Sequence, residues 1–148
     1  MYHELMDERG VRRATTALGI ATALFGIAPA LAPTFFARLF GLPAEGGPAA
    51  LAAIRSVGIR DAVMGLGLVS AAVHGGRIAP WLLARTLVDA GDAITVSLAL
   101  AKGGGNPRLV ALGALAFGAT IVDHALWHAA RGTSRQPSAF SDQPKIGH

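Results

Sequence analysis

The sequence predicts an all-α fold: a four-helix antiparallel transmembrane bundle with a short interfacial helix after the first span. Three observations support this prediction. Hydrophobic residues make up 52% of the 148 residues and charged residues only 15%, whereas a soluble domain carries about 25% charged residues. Four apolar runs are each long enough to cross a hydrocarbon core of about 30 Å. Segments rich in Gly and Pro separate the runs, as is typical of loops.

The first run extends from Ala14 to Ala37 without a charged residue, which exceeds the 18 or so residues that mark a transmembrane candidate. A secretory signal peptide is the competing interpretation, because arginines precede the run and Ala30-Leu31-Ala32 resembles a cleavage site. The run is longer than the apolar region of about 7–15 residues in such peptides. We therefore expect a retained span.

Three further runs, at about 49–74, 79–101 and 108–130, predict the second, third and fourth spans. Phe35, Phe36, Leu39 and Phe40 predict the interfacial helix. Residues 1–132 then form one integral membrane domain. Residues 133–148 are polar and rich in Pro and Ser, which predicts a disordered tail.

Charge in the loops predicts a multi-pass protein of the cell inner (cytoplasmic) membrane with both termini in the cytoplasm. Four spans place the termini on one side, together with seven Lys and Arg residues. Three basic residues, Arg38, Lys102 and Arg108, fall on the other side. Basic residues are enriched in cytoplasmic loops.

Composition also excludes several function classes. The formal net charge is +4, but the basic residues do not form one face and the chain has a single Tyr, so we expect no nucleic-acid partner. The absence of cysteine excludes disulfides, thiolate nucleophiles and Cys-ligated metals. We expect the lipid bilayer as a partner, with a homo-oligomer or a membrane partner subunit as further possibilities.

One face of the first span consists of small residues. Thr15, Gly19, Thr22, Gly26 and Pro29 fall within about 80° of one another on a helix. Small residues let helices approach closely in lipid, so this face is expected to meet another helix. A substrate groove is the alternative.

Seven charged residues lie inside the predicted spans: Arg55, Arg60, Asp61, Arg85, Asp89, Asp92 and Asp123. Each would cost about 2.5–3.5 kcal/mol at the centre of an isolated span. They must therefore meet one another or water. Arg85, Asp89 and Asp92 share one helix face, which is expected to point into the bundle.

Depth along the spans predicts which of these charges pair. Arg60 is expected to pair with Asp89 or Asp92, and Arg85 with Asp89 or Asp123. The resulting polar site is expected near the middle of the membrane, within a cavity that opens toward the cytoplasm.

Two interpretations of the charges remain open. Buried ion pairs can fix which helix meets which, and intramembrane ionisable groups can instead mark a site for a ligand or a proton. The candidate ligand-binding residues are Arg55, Arg60, Asp61, Arg85, Asp89, Asp92, Asp123 and His124.

Three functions follow from these interpretations. The first is a polar site for a lipophilic or small polar ligand, or a membrane subunit organised by the charges. The second is an intramembrane acid–base enzyme, of the isomerase or cyclase type, acting on a lipophilic substrate. Its candidate catalytic residues are Asp89, Asp92 and Asp123 as acids or bases and Arg60 as the group that orients an oxyanion. The third, a proton-coupled carrier, is disfavoured because no inverted repeat is evident.

The histidines indicate a metal site only weakly. His124 and His128 have the i, i+4 spacing that allows two imidazoles to bind one metal, and His74 ends the second span on the same side. The segment lacks the glutamate of the zinc-protease motif. We therefore expect neither metal nor another cofactor, and we place His124 beside Asp123 in a proton-exchanging pair or a packing role.

Two short motifs resemble a known family. Gly58-Ile59-Arg60-Asp61, followed by Met64-Gly65-Leu66-Gly67, and Asp89-Ala90-Gly91-Asp92-Ala93 one helix later resemble domain of unknown function 4267. That family is a bacterial group of small four-helix membrane proteins broadly like the DoxX-type proteins. The resemblance spans residues 14 to 130. It implies a four-helix membrane fold and a shared polar centre at Arg60, Asp61, Asp89 and Asp92, and it implies no known reaction.

Overall fold

The computed structural model describes residues 7–42, 46–103 and 106–133, which form five α-helices and no β-strand. The helices are α1 (Glu8–Leu31), α2 (Pro33–Phe40), α3 (Gly47–Val73), α4 (Ala79–Gly103) and α5 (Pro107–Thr133). The all-α prediction is confirmed for these residues. The predicted tail, apart from Thr133 at the end of α5, lies outside the described residues.

The helix boundaries follow from local chemistry. The Asp7 carboxylate accepts a 2.7 Å hydrogen bond from the amide of Gly10 and caps the start of α1. Pro33 has no amide hydrogen and therefore suits the first position of α2. Gly41 ends α2 in the left-handed conformation (φ 68°), which favours glycine. Asn106 accepts a hydrogen bond from the amide of Arg108 at the start of α5.

Three of these helices, α1, α3 and α5, are long and apolar enough to cross a membrane, where the sequence predicted four. These three apolar helices indicate a membrane protein. The remaining long helix, α4, has 25 residues but carries Arg85, Asp89, Asp92 and Lys102. Helix α4 is long enough to cross a membrane, but its charged residues make it less apolar than the other three long helices.

Helices α1 and α3 pack together so closely that their backbones touch. The buried face of α1 includes the five predicted small residues, and it lies against α3, so the prediction that this face meets another helix is confirmed. A Cβ atom added at Gly65 would lie 2.5 Å from both the backbone nitrogen of Ala23 and the carbonyl oxygen of Gly19. Gly26 and Gly58 meet in the same way about two turns further along. Only glycine allows this approach.

Helices α4 and α5 form a second packed pair, which contacts the first pair less extensively than its own two helices contact each other. We call the end where α1 begins and α5 finishes the termini end, and the opposite end, which carries α2, the loop end. At the termini end all four long helices, or residues next to them, contribute to one hydrophobic core. Its buried members are Val11, Leu68, Ala72, Ile78, Leu82, Leu126 and Ala130. This core holds the two pairs together.

At the loop end, α2 covers the end of α1 through aromatic contacts. The Phe36 ring lies 5.7 Å from Phe25 and 4.8 Å from Phe40, centroid to centroid. Phe36 is buried, whereas Phe35 and Leu39 are exposed on the opposite side of the helix. The predicted short helix is therefore present, with one packed face and one exposed apolar face.

The close approach of α1 and α3 predicts the effect of adding one methyl group. Gly65→Ala places a carbon against two backbone atoms that cannot rotate away, and we expect a loss of at least about 1–3 kcal/mol in the free energy of unfolding. The measurement is unfolding of the purified protein in detergent by increasing sodium dodecyl sulfate. Gly91→Ala on α4 is the matched control, since an added Cβ there meets no atom within 4 Å. Equal stability of the two variants would contradict the glycine contact.

Candidate functional site

Six charged side chains from three helices meet near the middle of the bundle. We call them the central charge cluster: Arg60 and Asp61 on α3, Arg85, Asp89 and Asp92 on α4, and Asp123 on α5. The i, i+4, i+7 spacing on α4 places its three members on one face, as the sequence predicted. Asp89 lies ten residues after the start of α4, roughly 15 Å along the helix axis.

Arg60 joins α3 to α4. Its Nη2 atom lies 2.6 Å from Oδ2 of Asp92, and its Nη1 atom donates to Oδ1 of the same carboxylate at 3.1 Å. The guanidinium also donates to Asp61 at 2.9 Å. This two-point contact with Asp92 is the strongest geometry that an arginine and a carboxylate can adopt. It connects the two helix pairs midway along the bundle.

Arg85 joins α4 to α5 in a drier environment. Its Nη2 atom donates to Asp89 at 2.9 Å, and its Nε atom donates to Oδ1 of Asp123 at 3.2 Å. The side chains of Arg85 and Asp89 are each 9% exposed and that of Asp123 is fully buried. The predicted pairings of Arg60 with Asp92, and of Arg85 with Asp89 and Asp123, are therefore confirmed.

The cluster contains four carboxylates and two guanidinium groups. Arg55, which was expected to belong to the polar site, is exposed on α3 and lies outside the cluster. The carboxylates therefore outnumber their cations by two. Asp123 reflects the shortage of donors: its Oδ2 atom lies 3.0 Å from Nε of Arg85 but accepts no hydrogen bond.

A largely apolar cavity of about 460 Å³ adjoins the cluster between the two helix pairs. Its polar wall is formed by Asp61, Arg85, Asp89 and Asp92. Arg60 does not line the cavity but forms ion pairs with Asp61 and Asp92. The rest of the wall comes from all five helices and is mostly hydrophobic. It includes Leu18, Phe25, Phe36, Leu42, Ile54, Val57, Val96, Leu112 and Leu115. Volume and composition are typical of a small-molecule site, which is mostly apolar with a few polar groups.

The cavity lies on the loop-end side of the charges. Phe36 and Leu42 belong to α2 and its following loop, and Leu112 is near the start of α5. The hydrophobic core fills the bundle on the termini side of the same charges. The cavity was expected to open toward the side of the termini. The structure places it in the opposite half, because the core closes the termini end.

Four predicted ligand-binding residues do not line this cavity: Arg55, Arg60, Asp123 and His124. Arg55 points to the surface, and Asp123 is buried behind Arg85. His124 is exposed on α5, where its Nε2 atom lies 3.1 Å from Nε2 of His128 and its ring stacks on Trp127. The described residues contain no group of three or more side chains suited to binding a metal.

Sequence reasoning missed the wall of the cavity that α1 and α2 provide. Phe25 and Phe36 form its aromatic end, and the hydroxyl-bearing Thr22 and Thr95 line it beside the charges. Thr22 was placed on the small face of α1, but its part in a cavity depends on the distance between two helix pairs. No sequence pattern encodes that distance.

The comparison with protein families identifies the chain. A model described as Domain of unknown function (DUF4267) matches residues 19–131. The chain belongs to the DUF4267 family. No curated protein and no solved structure matches it. The matched region contains the whole central charge cluster and nearly all of the apolar cavity. The broader likeness to DoxX-type proteins and a bacterial origin stay predictions.

The shared guanidinium of Arg85 predicts a large effect on stability. Arg85→Met would leave Asp89 and Asp123 in a dry interior without their cation, and we expect a loss of about 3–5 kcal/mol in the free energy of unfolding. The same detergent unfolding measurement tests it. Arg55→Met, which removes an exposed arginine from α3, should change stability little. A small effect of Arg85→Met would show that the pairs contribute little to the fold.

Proposed function

We propose that this DUF4267 protein is a four-span membrane bundle in which α4 also crosses the bilayer. With 25 residues, α4 extends about 37 Å, enough for a hydrocarbon core of about 30 Å. Its charged face is turned toward α3 and α5. The opposite face exposes Leu87, Ile94 and Leu98, each at least 59% exposed, as suits contact with lipid. The burial of the charges supports α4 as a span despite its polar composition.

We further propose that the bundle lies in the cell inner (cytoplasmic) membrane with its termini in the cytoplasm. The termini end carries the larger number of basic residues, in agreement with the bias of cytoplasmic loops. The short helix α2 then lies at the outer interface, with Phe35 and Leu39 toward lipid. The packing of α1 against α3 along a glycine-lined face supports retention of α1 in the mature protein.

Single cysteines test this topology directly, because the natural chain has none. His74 follows α3 and Lys102 is near the end of α4. If α4 crosses the bilayer, a membrane-impermeant maleimide applied outside intact cells should label Lys102→Cys and spare His74→Cys. After cell lysis both variants should react. Labelling of both variants, or of neither, in intact cells would place the ends of α4 on one side and exclude the fourth span.

We propose that the apolar cavity binds a lipophilic small molecule whose polar group donates hydrogen bonds or carries a positive charge. The single observation that carries this proposal is the apolar cavity ending on the polar wall of three carboxylates and one guanidinium. The apolar wall selects for a hydrocarbon portion. The polar wall selects for a donor, because the cluster holds two more carboxylates than guanidinium groups. A hydroxyl or a protonated amine meets that requirement.

Binding is better supported than acid–base catalysis or a purely structural role. Each carboxylate on the cavity wall is paired with an arginine, and the unbonded oxygen of Asp123 is not on the wall. No unpaired carboxylate therefore faces a substrate, as an acid–base enzyme would require. A bundle that uses its charges only to hold helices together has no need of a cavity beside them. The enzymatic alternative at Asp89, Asp92 and Asp123 stays a prediction.

Three probes with one chain length test the proposed binding: tetradecylamine, tetradecanol and tetradecanoic acid. We expect the amine to bind most tightly, the alcohol less tightly and the acid least, because only the acid adds a negative charge to an acidic wall. Native mass spectrometry of the detergent-purified protein measures the three affinities. Ala116→Phe should reduce binding of all three by filling the cavity.

Asp92→Asn isolates the contribution of the polar wall. We expect the preference for amine over alcohol to fall while binding of the alcohol persists. Ala129→Phe, a residue that packs against the hydrophobic core and does not line the cavity, is the matched control for Ala116→Phe. Equal affinity for all three probes, or no effect of Ala116→Phe, would exclude the cavity as a selective ligand site.

A further inference from the structure

A second cavity, of about 530 Å³, lies at the termini end and shares no lining residue with the apolar cavity. Three arginines from three parts of the chain line it: Arg12 on α1, Arg77 between α3 and α4, and Arg131 on α5. We call it the arginine pocket. Glu8 is its only acidic lining residue, so its ionised side chains sum to +2. The hydrophobic core separates it from the central charge cluster.

The three arginines differ in how many contacts their guanidinium groups already make within the protein. Arg12 donates to the Glu8 carboxylate at 3.0 Å and to the carbonyl oxygens of Ala71 and Ala72, so it is held at the end of α3. Arg131 lies over the Trp127 ring, 4.6 Å from its centroid. Arg77 is exposed and makes no hydrogen bond or ion pair with another described residue. Arg77 therefore retains the full set of donors that a guanidinium offers to an anion.

The remaining wall of the arginine pocket is hydrophobic. Val11, Ile78, Leu83 and Trp127 line it, together with Pro80. A cationic rim above an apolar wall at the end of a membrane bundle matches the two parts of an anionic lipid, a phosphate group and a hydrocarbon chain. Arginine suits the phosphate because its planar fork contacts two oxygens at once.

We propose that the arginine pocket binds a phosphate group, which is supplied either by the headgroup of an anionic phospholipid or by a free phosphate anion. Arg77 supplies the uncommitted donors, Arg131 adds a second positive charge, and Arg12 fixes the position of the wall by holding α1 to the end of α3. This proposal does not rest on the apolar cavity or on its ligand. Binding at the pocket would link α1, α4 and α5 at the end where the hydrophobic core joins the two helix pairs.

Fluorescence of Trp127 provides the measurement, since this ring lines the pocket. The chain has two tryptophans, so Trp81→Phe leaves Trp127 as the single reporter. The full chain in a neutral maltoside detergent is titrated with phosphatidylglycerol, with phosphatidylcholine of the same acyl chains, and with inorganic phosphate. We expect a saturable change with phosphatidylglycerol and a weaker response to phosphatidylcholine, whose net charge is zero. Competition by millimolar inorganic phosphate would support the site and assign it to the free anion.

Arg77→Gln, made in the same Trp81→Phe background, tests the site itself. Loss of one arginine is expected to weaken binding of phosphatidylglycerol about fivefold. Arg55→Gln is the matched control, because Arg55 is also exposed but lies in the first half of α3, whereas Arg77 follows the end of that helix. A saturable response that falls only in Arg77→Gln supports the proposal. Equal losses in the two variants, or no saturable response to any of the three titrants, would overturn it.

Discussion

The neutralisation of charge inside an apolar bundle is the constraint on which the rest of this structure depends. Helix α4 carries three charges on one face, and no arrangement that exposes them to lipid is tolerable. Arg85 pairs with Asp89 on its own helix and with Asp123 on α5, and Arg60 reaches across from α3 to Asp92. These contacts determine the neighbours of α4 and the face that it turns inward. The outward face of α4 can then be apolar, so a helix with three charged side chains is compatible with a membrane.

The contact within the α1–α3 pair differs in kind from the contacts that join the two helix pairs. Helices α1 and α3 meet through glycines, where backbone approaches backbone, and this contact leaves no room for side chains or ligands. Helices α4 and α5 are joined to that pair by the core at the termini end and by Arg60 in the middle. At the loop end, Asn106 and Arg108 donate hydrogen bonds to the carbonyl oxygens of Gly41 and Arg38. The apolar cavity lies between these contacts and the central ion pairs, where no described side chain fills the space between the two pairs.

Much of the fold, and part of the candidate site, could be predicted from the sequence. Long and mostly apolar runs predicted the four long helices, and the spacing of Thr15 and Gly19 predicted the buried face of α1. Depth along the spans predicted the ion pairs of Arg85 with Asp89 and Asp123. The inclusion of Arg55 among the ligand-binding residues failed, because a charged residue inside an apolar run can still face outward. The cavity and its position depend on how far apart two helix pairs stand, which is a property of tertiary packing that no local pattern contains.

The glycine contact between α1 and α3 has a consequence for how such a protein can change over evolutionary time. That half of the bundle is locked, since any larger residue would push two backbones apart. The facing wall, built from α4 and α5, carries no such restriction at positions such as Val96, Leu112 and Ala116. Substitutions there would reshape the chamber while the opposite wall stayed fixed. Relatives with the same architecture can in this way diversify what they accommodate without losing their scaffold.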